Sequence, residues 1–166
     1  ITLRAPYPYA RSTDSNITDF NTLVALHRFK RSYSSTQPFK LSSRSYQPLK
    51  TIYNKGALST GFICRMTAGV DGIKAPRITN VNTQENISFP DITLAIDDEL
   101  VVSTYENERY CHLIHQGEVT NIFSYMDYNS TFFQLKPGNN VIRYGASNSE
   151  DQLNVRILFE DTVAGV

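Results

Sequence analysis

From Leu49 onward the chain alternates short apolar runs with turn-forming residues, and that rhythm predicts strands in place of helices. Strands are expected near 49–53, 60–66, 77–81, 86–89, 92–96, 99–104, 109–114, 118–123, 131–135, 140–145 and 152–160. Asp71-Gly72, Asp97-Asp98, Glu106-Asn107, Gln116-Gly117, Pro137-Gly138 and Ser147-Asn148-Ser149 punctuate them. The last run has the strictest pattern. Leu153, Val155, Ile157 and Phe159 fall on one side, Asn154, Arg156 and Leu158 on the other, as a half-buried strand requires. Many short strands at this spacing predict an all-β, antiparallel sandwich or barrel-like fold, with no internal repeat.

The first 48 residues follow a different pattern. Pro6 and Pro8 flank Tyr7, and a missing amide donor at each confines that stretch to an edge strand or an extended connector. Ile17, Phe20, Leu23, Val24 and Leu26 permit a helix, while the Thr and Val content leaves a strand open. Residues 32–48 are Ser-rich with two prolines and read as an extended connection. The expected division is an N-terminal extended or partly helical, basic connecting segment, 1–48, and a β-sandwich domain, 49–166.

Composition changes the picture in two places. At 166 residues with 40% apolar content, 10 Tyr and 9 Phe, the chain can bury a core without disulfides or metals. No apolar run has the length of a membrane span, so no membrane partner is expected. The chain begins with Ile, which suggests a piece of something longer. Net charge is zero, yet residues 1–60 carry nine Lys/Arg and only Asp14 and Asp19, while residues 61–166 carry seven Lys/Arg and fourteen Asp/Glu. Arg28, Lys30, Arg31 and Arg44 form a candidate basic docking segment for an acidic neighbour. Nucleic acid is not the expected partner, because the basic residues are dispersed and no nucleic-acid motif accompanies them.

Candidate chemistry is sparse. Cys64 and Cys111 fall on predicted strands and read as buried thiols. His112 and His115 are three positions apart, an odd offset, so a strand turns them to opposite faces, and with His27 as the third histidine no metal site is expected. Asp91, Asp97, Asp98 and Glu99 lack EF-hand spacing and read as a charged turn. No nucleophile elbow or phosphate-cradling motif occurs, so neither enzymatic activity nor a cofactor is expected. Tyr105, Tyr110, Tyr125 and Tyr128, with Phe123, sit near predicted turns, where rings can stack on the apolar faces of sugars or meet a protein partner.

One run ties these readings together. Phe133, Leu135, Pro137, Gly138, Asn140 and Ile142 spell the pattern F-x-L-x-P-G-x-N-x-I. Pro137 presets φ and Gly138 can adopt positive φ, so a hairpin joining 131–135 to 140–145 is expected. The pattern resembles a signature of the distal tail protein family of bacteriophages with long, non-contractile tails. Ala5-Pro6-Tyr7-Pro8-Tyr9 resembles that family's "PDPY" element, with Tyr7 in place of the acid. Arg77 to Ile87, followed by Asp97-Asp98-Glu99-Leu100, resembles its "I-x-N-x-x-T … G-D-x-L" passage, with Asp97 in place of the Gly. The resemblance implies a jelly-roll, galectin-like or carbohydrate-module-like sandwich, the C-terminal half of a protein whose absent N-terminal domain forms a hexameric ring. It further implies a structural role in the virion tail tip, made in the bacterial host cytoplasm. Implied partners are the tail tube, a tail-associated lysin and a receptor-binding protein, for which the sandwich is a docking platform. A carbohydrate-binding module contacting the host cell-wall glycan is the alternative.

Overall fold

The computed structural model describes residues 10–25 and 42–163. Among them are strands β1 (Ala10–Asp19), β2 (Thr22–Ala25), β3 (Ser42–Ser45), β4 (Leu49–Asn54), β5 (Ile63–Ala68), β6 (Ile73–Lys74) and β7 (Arg77–Asn80). They continue with β8 (Asn86–Ser88), β9 (Thr93–Leu94), β10 (Glu99–Ser103), β11 (Tyr110–His115), β12 (Glu118–Asn121), β13 (Gly138–Gly145) and β14 (Leu153–Val163). Single 3-10 turns occur at Phe123–Tyr125 and Glu150–Gln152. A six-stranded sheet runs β1-β14-β5-β10-β11-β12 and a four-stranded sheet β4-β13-β7-β8, with β2–β3 and β6–β9 as separate pairs. All these pairings are antiparallel.

The alternation read from the sequence is what faces the two sheets together. Leu153, Val155, Ile157 and Phe159 of β14 point inward beside Cys64, Met66 and Ala68 of β5 and Leu100 and Val102 of β10. The four-stranded sheet answers with Ile52, Ile142, Tyr144, Ile78 and Ile87, and all of these belong to one buried cluster. Burying each such side chain contributes roughly 1.5–3 kcal/mol, which is why a chain this size needs no covalent staple. Cys64 and Cys111 both sit opposite Val102, one on each side. Two strand spacings separate them by about 9.5 Å, beyond disulfide reach, and both are buried free thiols.

Three expectations need correction. The helix permitted by Ile17 to Leu26 does not form over the described part, where Ala10–Asp19 and Thr22–Ala25 are strands. Ile17 and Phe20 cannot share one helical face here. Ile17 stands outward opposite Leu158 and is 59% exposed, whereas Phe20 is fully buried in the core. β1, inside the stretch expected to be a connector, thus supplies an edge of the larger sheet.

The second correction concerns the Pro-Gly-Asn-Asn turn. Gly138 does adopt positive φ, at 89°, but residues 131–135 are not a strand and no hairpin forms. Both edges of β13 are already taken, by β4 and by β7. The preceding segment instead touches the chain at Thr60 through a single bridge to Leu135. The turn is closed by a side chain: Asn140 Nδ2 donates to the carbonyls of Lys136 (2.7 Å) and Gly138 (3.1 Å), and its Oδ1 accepts from the Lys136 amide at 3.0 Å. The third correction is one of extent. The segments expected at 92–96 and 60–66 shrink to Thr93–Leu94 and to a strand starting at Ile63, and the pair β6–β9 was not foreseen.

Candidate docking surface

The four tyrosines singled out by the sequence do not converge. Tyr105 is packed away: its hydroxyl accepts from the Glu160 amide at 3.3 Å and the Arg11 guanidinium lies 4.4 Å from its ring centre. Burial raises its phenol pKa. Tyr110 is half-buried on the outer face of β11, where its ring stacks on His112 with centres 4.6 Å apart. Tyr125 and Tyr128 share the loop after β12, at 52% and 100% exposure. Beside them in the chain Phe123 stacks on Phe132 at 5.6 Å, and Arg109 stands 5.7 Å from the Phe132 ring. Of the basic candidates, Arg28, Lys30 and Arg31 lie outside the described residues, and for Arg44 only its place on β3 is described.

Two of the remaining polar candidates, His115 and Asp98, fasten a turn. His112 faces outward and His115 the other way, where its Nδ1 meets Asp98 Oδ1 at 2.6 Å. Asp98 Oδ2 accepts from the Ala95 amide at 2.8 Å, so this buried carboxylate pins the turn into β10. Asp97, standing where the resembling motif has Gly, has φ of 64°, a left-handed conformation that Asp tolerates better than most residues. Among the described residues no three His, Cys, Asp or Glu side chains group as a metal site, and no helix is long and apolar enough to cross a membrane. A cleft of about 300 Å³ is lined by Arg11, Ser59, Thr60, Tyr105, Glu106 and Gln134, of which Gln134 Nε2 donates to Glu106 at 3.3 Å.

Sequence reasoning missed how charge divides between the sheets. The strands of the four-stranded sheet hold Lys50, Arg77 and Arg143 and no carboxylate. Free of acids within its strands, this sheet carries +3, whereas the six strands of the other hold Arg11, Arg65 and Arg156 against Asp14, Asp19, Glu99, Glu118, Glu160 and Asp161, a net of −3. On the outer face of the larger sheet, Arg156 pairs with Asp19 at 2.5 Å and Arg65 with Glu99 at 3.0 Å. Lys50 reaches across the sandwich edge to the Asp19 carbonyl.

Two antiparallel sheets packed through apolar inner faces around one buried cluster define an all-β sandwich. The model of the siphovirus-type tail component family, C-terminal domain, matches residues 55–161. The chain belongs to that family and is a structural component of the virion tail. Two solved structures share the fold: the phage P2 baseplate in its activated conformation with Ca, and the same baseplate with Sr. For each, identity is 13%, the TM-score is 0.50, and the match covers 90% of this chain and 54% of the other. The chain therefore spans about half the length of those baseplate chains. No curated protein sequence matches it.

Proposed function

We propose that this chain is a docking domain of a distal tail protein at the virion tail tip, attached to an N-terminal domain that closes a hexameric ring. The sandwich would present its outer faces to the tail tube, a tail-associated lysin or a receptor-binding protein. The family match over 55–161, which falls on the sandwich strands, carries this reading. A rigid two-sheet body suits the task, because outward positions alternate with core positions and can change without disturbing the packing. The basic residues Arg28, Lys30, Arg31 and Arg44 would add electrostatic steering toward an acidic neighbour. The test is co-expression of the full-length protein with each of the three candidate tail proteins, followed by size-exclusion chromatography. Co-elution with at least one is expected, and separate elution from all three would remove the docking reading.

A second reading, contact with host cell-wall glycan, is favoured by one observation: Tyr125 and Tyr128 expose their rings on a single loop. A glycan array with wild type and a Tyr125→Ala/Tyr128→Ala variant decides it. Saturable binding lost in the variant supports the reading, and no binding by wild type removes it.

A further inference from the structure

The outer face of the four-stranded sheet has the composition of a protein-binding surface, and its two arginines form no salt bridge among the described residues. Register places Arg143 opposite Thr79 and Leu49, and Arg77 opposite Gly145, so the two arginines are diagonal neighbours on β13 and β7. Diagonal positions on adjacent strands stand about 7–8 Å apart. A Cβ built on Gly145 would come within 3.0 Å of Arg77 Nε and 3.2 Å of its Cζ, so the guanidinium lies along the sheet surface over that glycine. Both arginines line a cleft of about 290 Å³ with Thr79, Val81 and Gln84. Neither forms an ion pair among the described residues. Their counterparts on the other sheet, Arg65 and Arg156, are each matched by a carboxylate.

Around the arginines the same face exposes Leu49, Tyr53 and Val81. Arginine and tyrosine among aliphatic side chains are what protein interfaces enrich. A site for a polyanion would extend further as a track of cations, and here the outward positions beyond the two arginines are neutral: Thr51, Tyr53, Asn86, Ser88, Asn139 and Val141.

We propose that this face docks an acidic protein segment, whose carboxylates pair with Arg77 and Arg143 while its aliphatic side chains cover Leu49, Tyr53 and Val81. The inference rests on the docking reading and assigns it a surface and a partner chemistry. Guanidinium forks suit it, since each can hold a carboxylate through two parallel hydrogen bonds.

The test uses the full-length protein and a fluorescein-labelled synthetic peptide of alternating Glu and Leu, read by fluorescence anisotropy at low and high salt. Arg77→Gln/Arg143→Gln should weaken binding at least about tenfold, and high salt should weaken wild-type binding. An Arg65→Gln control on the other sheet should leave it unchanged. Should loss of the Arg77 cover over Gly145 lower the melting temperature, the exposed Arg143→Gln change alone carries the test. Equal affinity in wild type and variants overturns the proposal. So does equal binding of a Lys/Leu peptide, or inorganic polyphosphate displacing the peptide in preference to free acidic peptide. Self-association by analytical ultracentrifugation that the double variant abolishes overturns it in favour of a second copy as occupant. Co-elution with tail proteins separates the two readings. A double variant that still co-elutes like wild type removes this face and leaves docking standing. Peptide binding that needs both arginines, in a protein that co-elutes with no tail protein, keeps the face and removes that docking role.

Discussion

Replacing Phe133 by Ala tests how the turn signature is used, because the side chain belongs to the core although its backbone belongs to no strand. Phe133 is 2% exposed and packs on Phe62 with ring centres 5.1 Å apart at a 45° tilt. Its backbone neighbours are fastened on both sides. Leu135 exchanges hydrogen bonds with Thr60 at 2.9 and 3.0 Å, and Asn54 Nδ2 donates to the Leu135 carbonyl at 2.9 Å. These bonds keep the segment from sliding inward to fill the space a truncation leaves, so the cavity term should be expressed nearly in full. Phe→Ala at a buried site costs about 3–5 kcal/mol. For a domain of this size each kcal/mol moves the melting temperature by about 2–4 °C, so a fall of about 6–20 °C is expected. Urea unfolding followed by circular dichroism gives the free-energy change directly, with an unchanged slope as the sign that the denatured state is unaltered. The adjacent Gln134→Ala change, at a half-buried position whose Nε2 donates to Glu106, should stay within about 0.5 kcal/mol of wild type. A loss below about 1 kcal/mol for Phe133→Ala, or a larger loss for Gln134→Ala, refutes the reasoning.

Gly61→Ala should cost about 1–3 kcal/mol in the same urea assay, because the new Cβ would lie 2.7 Å from Tyr105 Cα and 2.8 Å from its amide nitrogen; a neutral result would show that β5 and the Tyr105 turn can separate freely. At Asp97, with φ of 64°, Asp97→Gly should match or exceed wild-type stability, while Asp97→Val should cost about 1–2 kcal/mol. The reverse order would contradict a left-handed residue there. Burial raises both thiol pKa values, that of Cys111 to about 12. Unfolded thiols ionise near about 8.5, so the stabilisation linked to these protons is whole below that pH and declines as pH rises toward the folded values. Stability should then fall above about pH 8.5 by up to about 1.4 kcal/mol per pH unit per thiol. Urea midpoints from pH 8 to 10.5 should fall less steeply for Cys64→Ala/Cys111→Ala than for wild type, and equal slopes would count against the linkage.

The sheets were legible where a strand has one wet and one dry face. β14 shows this best, its period of two surviving in the buried positions 153, 155, 157 and 159. The signature run was legible as a turn and illegible as a topology, since the sequence does not reveal that β4 and β7 occupy both edges of β13. Buried asparagines were missed for a related reason. Asn54 and Asn140 look like exposed turn residues by type, yet each holds a loop closed through its own amide. Tyr105 was misread as available because its cover, Arg11, comes from β1, far away in sequence. The charge division escaped notice because the halves of a sequence are not the sheets of a sandwich. The acids and bases of β1 and β14 mix on the larger sheet, whereas β4, β7, β8 and β13 share their lack of carboxylates only once assembled.

That assembly separates two demands within single strands. In β13 the inward Ile142 and Tyr144 belong to the core, and Arg143 between them points outward. In β7 the inward Ile78 sits beside the outward Arg77 in the same way. The turn signature follows this division, with Phe133, Leu135, Asn140 and Ile142 all buried. Such positions set the fold, and substituting them exacts a cost in core packing or loop closure. The outward positions can change charge at little cost in stability, since exposed substitutions are usually within about 0.5 kcal/mol of neutral. A tail protein built this way can keep its sandwich while altering what the four-stranded face receives, because the side chains that specify a partner are not the ones that hold the sheets together.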